Sequence, residues 1–125
     1  MSEGEMTGAE PAAQGGQLTV VTTTTDGIRV LALSGEIDYH TGDILRQALQ
    51  VSGTPRPRIV ADMRQVTFMD SSGINILINA HNTLSEAGGW LRLAATSEPV
   101  MRTITLVGID SFIDCRETLR QALGN

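Results

Sequence analysis

Residues 66–74 have the sequence VTFMDSSGI, and within this stretch the chain changes from a strand pattern to a helix pattern. Before it, residues 58–63 (RIVADM) form a short apolar run typical of a buried strand. After it, the residues Ile74, Leu77, Ile78, His81 and Leu84, all apolar except the histidine, recur at helical spacing. The pattern predicts a strand–turn–helix unit with residues 70–73 at the junction.

Toward the N-terminus, the sequence predicts an antiparallel hairpin and a helix. Residues 18–25 (LTVVTTTT) and 28–35 (IRVLALSG) are rich in β-branched or apolar residues and are separated by Asp26-Gly27, a strong turn signal. Thr41 is placed to cap a following helix, whose apolar stripe comprises Ile44, Leu45, Ala48 and Leu49.

Toward the C-terminus, the alternation continues. Residues 90–95 (WLRLAA) are typical of a strand, and a helix is predicted from Ser97 to Gly108. Asp114 with Glu117 resembles a capping box for a last helix. We therefore predict an α/β domain: a mixed, partly parallel sheet of about four or five strands opened by a β-hairpin, with about four helices. The pattern leaves open whether helices cover one face of the sheet or both.

Composition and charge indicate one domain preceded by a tail. The chain has 125 residues, of which 41% are hydrophobic, enough for one modest core. Residues 1–17 contain three glutamates, no Lys or Arg and little to bury, so we predict a disordered acidic tail at 1–17 and a folded domain at 18–125. The start of the chain has no basic head or apolar stretch typical of a signal peptide, and the default expectation is a cytoplasmic protein.

Several classes of chemistry are disfavoured by residue usage. All nine basic residues are arginines, so lysine-dependent catalysis is excluded. One cysteine and two distant histidines provide no recognisable metal-ligand spacing, and no metal or cofactor is expected. A net charge of −5 argues against nucleic-acid binding, and no apolar run is long enough to cross a membrane.

The junction itself carries two hydroxyl groups and a carboxylate. Asp70, Ser71 and Ser72 are typical helix-capping residues, and capping with crowding relieved at Gly73 is by itself the commoner explanation. Asp70 could cap the helix, orient the Ser71 hydroxyl, or do both.

Two motifs give the junction a family context. Gly35-Glu36-Ile37-Asp38, followed by residues 66–74, resembles the paired signatures of the STAS domain (sulfate transporter and anti-sigma factor antagonist). The resemblance covers about residues 18–123. A free-standing chain with a serine directly after the aspartate is similar to the anti-sigma factor antagonists of bacterial partner switching.

That resemblance implies a phosphorylation switch at Ser71. Such proteins are not enzymes; they bind an anti-sigma factor that is also a serine kinase and thereby release a sigma factor, as in stress responses. Phosphorylation abolishes binding, and a PP2C-type phosphatase restores it. The resemblance implies partner contacts around both motifs, at Asp38, Tyr39, His40, Thr41, Asp70, Ser72, Gly73 and Asn75.

Alternatives remain open from the sequence. Residues 38–41 could be only a strand-end turn with a helix cap. Asn75 and Asn79 differ from the small residues of similar proteins and could tune partner choice or only solvate the helix. A serine hydrolase is disfavoured because His81 lies about 15 Å along the helix from Ser71, although His40 could lie closer. A STAS scaffold or ligand-binding module without sigma-factor release is the remaining alternative.

Overall fold

The computed structural model describes residues 17–51 and 53–124, which form one sheet with helices on both faces. The predicted tail at 1–17 lies, except for Gln17, outside the described residues. The strands are β1 (Leu18–Thr25), β2 (Ile28–Ile37), β3 (Arg58–Met69), β4 (Trp90–Ala94) and β5 (Asp114–Arg116). The helices are α1 (Gly42–Ala48), α2 (Ser71–Glu86), α3 (Glu98–Val107) and α4 (Leu119–Leu123), with a 3-10 turn at Ile109–Ser111.

The sheet has the spatial order β1-β2-β3-β4-β5. β1 and β2 form the antiparallel hairpin expected from Asp26-Gly27, and all other neighbours are parallel. The predicted mixed sheet and four helices are thus confirmed. β3 is longer than the apolar run that predicted it, because it continues to Met69 through irregularities in its register with β2.

Both faces of the sheet carry helices, which settles the point that the sequence left open. Along β3, Ile59 and Ala61 pack in the large core with α1, α2 and α3, whereas Val60 between them packs in a small core with Ala122 of α4. Alternate strand residues point to opposite faces, so β3 contributes to both cores. Within the described residues, no helix is long and apolar enough to cross a membrane.

The last helix corrects one prediction. Asp114–Arg116 is a strand rather than a helix start, because it pairs with β4. The capping box is formed instead by Thr118, whose hydroxyl accepts from the Gln121 N–H at 3.1 Å, while the Gln121 side chain accepts from the Thr118 N–H.

Arg92 fixes α4 to the sheet. Its guanidinium donates to the carbonyls of Ala122 and Gly124 at 2.9 and 2.7 Å and lies 3.8 Å from the ring centroid of Trp90. Asp114 lies 3.6 Å from Arg92 and accepts two hydrogen bonds from Arg116. We call Arg92, Asp114 and Arg116 the Arg92 cluster.

Candidate functional site

Two loops leave the sheet side by side. The last residues of β2 and β3, Ile37 and Met69, are paired in parallel register, so the segments that follow them emerge at the same edge. A backbone hydrogen bond from the Asp70 N–H to the Ile37 carbonyl, at 3.1 Å, joins the two segments. We call residues 38–41 and 70–75 together the Ser71 edge.

Asp70 caps helix α2. Its backbone is extended, and its carboxylate accepts a hydrogen bond from the Ser72 N–H at 2.8 Å. Its carbonyl accepts from the Ile74 N–H at 3.2 Å, the first bond of the helix. The sequence left open whether Asp70 caps the helix, orients the Ser71 hydroxyl, or does both. These contacts are those of a helix cap.

Ser71 is the first residue of α2, and its side chain is exposed, whereas Ser72 is half-buried. The first turn of a helix has N–H groups without partners inside the helix, and the helix dipole favours an anion there. Another protein can therefore reach the Ser71 side chain. The helix end that carries it tolerates negative charge.

Gly73 is buried and allows the helix to approach the sheet. A Cβ at this position would lie 2.6 Å from Cγ2 of Ile37 and from Cγ of Met69. Gly73 thus shapes the Ser71 edge from beneath, and a partner would not contact it directly.

A hydrogen-bonded turn fixes the 38–41 loop. The Asp38 carboxylate accepts from the His40 and Thr41 N–H groups at 2.9 and 3.0 Å. The Thr41 hydroxyl accepts from the Asp38 N–H at 2.8 Å and donates to the Glu36 carbonyl at 2.9 Å. Thr41 is only 3% exposed and its side chain does not cap α1, so, like Gly73, it supports the surface from below.

A groove between α1 and α2 is lined by exposed side chains of the Ser71 edge, those of Tyr39, His40 and Asn75, and Ser71 precedes its lining residue Ser72. Tyr39 is 81% exposed, and its ring stands edge-on to that of His40. The groove has a volume of ≈ 590 Å³ and is lined by Tyr39, His40, Gly42, Asp43, Arg46, Ser72, Asn75, Ile76 and Asn79. Of the predicted contacts, Tyr39, His40, Ser72 and Asn75 therefore share one surface.

Sequence reasoning did not identify the α1 wall of this groove. Asp43 and Arg46 form an exposed ion pair there. An acidic and a basic residue three positions apart are common on any solvated helix, so the sequence contained no signal that they face α2. Ile76 was also missed; it is buried on α2, although it lies outside the apolar stripe that predicted the helix.

The other candidate groups lie elsewhere. The His81 ring packs against Phe112, with the centroids 5.4 Å apart. Cys115 lies in β5, where burial and the nearby carboxylates Asp110 and Asp114 raise its pKa to about 11, so its thiol is protonated at neutral pH. Within the described residues, no group of three or more His, Cys, Asp and Glu side chains could hold a metal ion.

Comparison with known proteins agrees with the geometry. A sequence model of the STAS domain matches residues 19–122. The chain belongs to the STAS domain family. The expected resemblance is thus confirmed, and the matched range includes both segments of the Ser71 edge.

Relatives of this STAS domain include regulators of sigma factors. It is 29% identical over 85 residues to the anti-sigma F factor antagonist of Paenibacillus polymyxa, covering 66% of this chain and 73% of that protein. It is 29% identical to an anti-sigma-F factor antagonist of Mycobacterium tuberculosis, covering 85% of this chain and 87% of that one. The crystal structure of an anti-sigma factor antagonist from Mycobacterium paratuberculosis has a TM-score of 0.77 and 31% identity, covering 86% and 92%.

Proposed function

We propose that this STAS domain is an anti-sigma factor antagonist switched by phosphorylation of Ser71. Its unphosphorylated form binds an anti-sigma factor with serine kinase activity and releases a sigma factor. A PP2C-type phosphatase removes the phosphate and restores binding. The observation that carries the proposal is the exposed Ser71 hydroxyl at the tip of α2, beside a groove lined by Tyr39 and Asn75.

A surface block, without refolding, accounts for the switch. A phosphate adds about −1.5 to −2 charges near neutral pH. The helix dipole favours this charge and the Asp70 carboxylate opposes it, so the domain stays folded. In a complex that buries the hydroxyl, a like charge ~6 Å away at an effective dielectric of ~20 costs roughly 3 kcal/mol per unit charge. One such clash lowers affinity about a hundredfold.

The test uses anti-sigma factors with kinase activity from the source genome, each purified and incubated with ATP and this chain. Mass spectrometry of the product should find phosphate on Ser71. Ser71→Ala should abolish modification while the protein stays folded, since loss of a capping-type side chain costs only about 1 kcal/mol. Ser72→Ala is the matched control, one residue away, and should still be modified.

Two results would contradict the proposal. Phosphate found on Ser72 instead of Ser71 would assign the regulatory site to Ser72. If no kinase of the set modified the chain, the proposed regulation by phosphorylation would be refuted. The same proteins also test a scaffold role: an antagonist displaces the sigma factor from its complex with the anti-sigma factor in a competition assay, whereas a scaffold does not.

A further inference from the structure

Thr41 makes unusual contacts for a residue that precedes a helix. Of the residues that the structure describes, it and Asp62 are the buried ones with polar or charged side chains. A threonine in the capping position normally accepts from an N–H of the helix that follows. The Thr41 hydroxyl instead turns toward β2, accepting from the Asp38 N–H and donating to the Glu36 carbonyl.

These contacts close a small ring of hydrogen bonds. Thr41 holds the backbone of Asp38, and the Asp38 carboxylate in turn holds the N–H groups of His40 and Thr41. Tyr39 and His40 lie within this ring, and both are exposed. Two exposed side chains are thus displayed by a loop whose backbone is fixed from below.

The ring is connected to the tip of α2 through Ile37. The Ile37 carbonyl accepts from the Asp70 N–H, and its side chain fills the space that a Cβ on Gly73 would need. The next residue, Asp38, begins the fixed loop. The position of Tyr39 and His40 relative to Ser71 therefore depends on contacts that Thr41 completes.

We infer that Thr41 is a positioning residue, which holds Tyr39 and His40 in register with Ser71 so that a modifying kinase recognises both segments together. The inference rests on the proposed function and names the surface that the kinase would recognise. A serine on a flexible tip would be recognised by local sequence alone, whereas a preordered surface binds without the entropic cost of ordering the loop.

A hydroxyl deletion with a matched control tests the structural half of the inference. Thr41→Val keeps the shape and removes the hydroxyl, and Thr41→Ser keeps the hydroxyl. In Thr41→Val, amide exchange measured by NMR should become about tenfold faster at His40, whose N–H does not bond to Thr41, while α2 amides are unchanged. Faster exchange at Asp38 alone would overturn the inference, because Thr41 would then hold only its direct partner.

Kinetics with the kinase that modifies Ser71 test the functional half. Thr41→Val should raise KM about tenfold and leave kcat within twofold, and Thr41→Ser should behave as wild type. An unchanged KM, or a serine variant as impaired as the valine variant, would overturn the inference. If Thr41→Val does not fold, Thr41→Ala removes the same hydroxyl from a smaller side chain, and exchange at His40 is measured in that variant instead. If no kinase modifies the wild-type chain, the proposed function fails, and the exchange measurement still decides the role of Thr41.

Discussion

The Ser71 edge and the Arg92 cluster are both polar, and they use their hydrogen bonds differently. In the Arg92 cluster, charged groups bond to the protein itself: Arg92 to the end of α4 and Arg116 to Asp114 and the Gln121 carbonyl. At the Ser71 edge, Asp70 and Thr41 bond inward and leave other side chains at the surface. A polar cluster whose charged groups bond to one another and to a neighbouring helix stabilises the fold, whereas one whose hydrogen bonds hold exposed side chains in place is suited to recognition.

The largest expected effect is on binding at the Ser71 edge. Ser71→Asp should weaken binding of the anti-sigma factor about a hundredfold, because repulsion from a like charge ~6 Å away in the complex would cost roughly 3 kcal/mol. Ser71→Asn introduces a side chain of the same size without the charge. It is the control, and its affinity for the anti-sigma factor should fall much less. Titration calorimetry gives the affinities, and a melting curve checks the fold. If Ser71→Asp no longer melted cooperatively, the surface-block mechanism would be refuted.

A smaller effect is expected on stability in the Arg92 cluster. Arg92→Met should lower the free energy of unfolding by about 2 kcal/mol, because the carbonyls of Ala122 and Gly124 lose a charged donor. Urea unfolding followed by circular dichroism measures the change. Binding of the folded variant to the anti-sigma factor should be unchanged, and a loss of affinity would show that the two regions do not have separate roles.

The smallest effect is a pH dependence at Asp114. The hydrogen bonds from Arg116 hold the pKa of Asp114 below its usual value of 3.8. A lowered carboxyl pKa stabilises the folded state above the unfolded-state pKa, and this contribution is lost as the pH falls through the folded-state pKa. Asp114→Asn should therefore reduce stability at neutral pH by less than about 1 kcal/mol, since the carboxylate is partly exposed.

Unfolding in urea at about pH 7 and about pH 2.5 checks this sign. The difference in stability between the wild type and Asp114→Asn should be smaller at the lower pH than at the higher one. A difference that is equally large in acid would mean that the asparagine disturbs packing, and that the ion pair is not the cause.

Local signals predicted the parts of the fold that neighbouring residues decide. Asp26-Gly27 defined the hairpin, and the change of pattern at Asp70 located the junction and its cap. The same change of pattern placed Ser71 at a helix start, where the structure shows it to be exposed, and the STAS resemblance singled it out as the residue to be modified. Each of these features depends on residues that are adjacent in the chain.

The features that the sequence did not predict depend on distant residues. Asp114 with Glu117 and Thr118 with Gln121 both fit a capping box, and pairing of residues 114–116 with β4 decides between them. Thr41 was correctly placed before α1, but its hydroxyl turns to a carbonyl at the end of β2. The packing of α1 against α2, which brings Arg46 to the groove, has no signature in either helix alone.

The Asp70 cap has a consequence for any phosphoryl group attached to Ser71. The Ser72 N–H is one of the donors at this helix end that have no partner within the helix. It already donates to the Asp70 carboxylate, at 2.8 Å. The new oxygens would therefore find one hydrogen-bond donor fewer at the helix end, and water would complete their hydrogen bonds. Because Ser71 is exposed, the ester bond of such a group would be accessible to a phosphatase without unfolding of the helix.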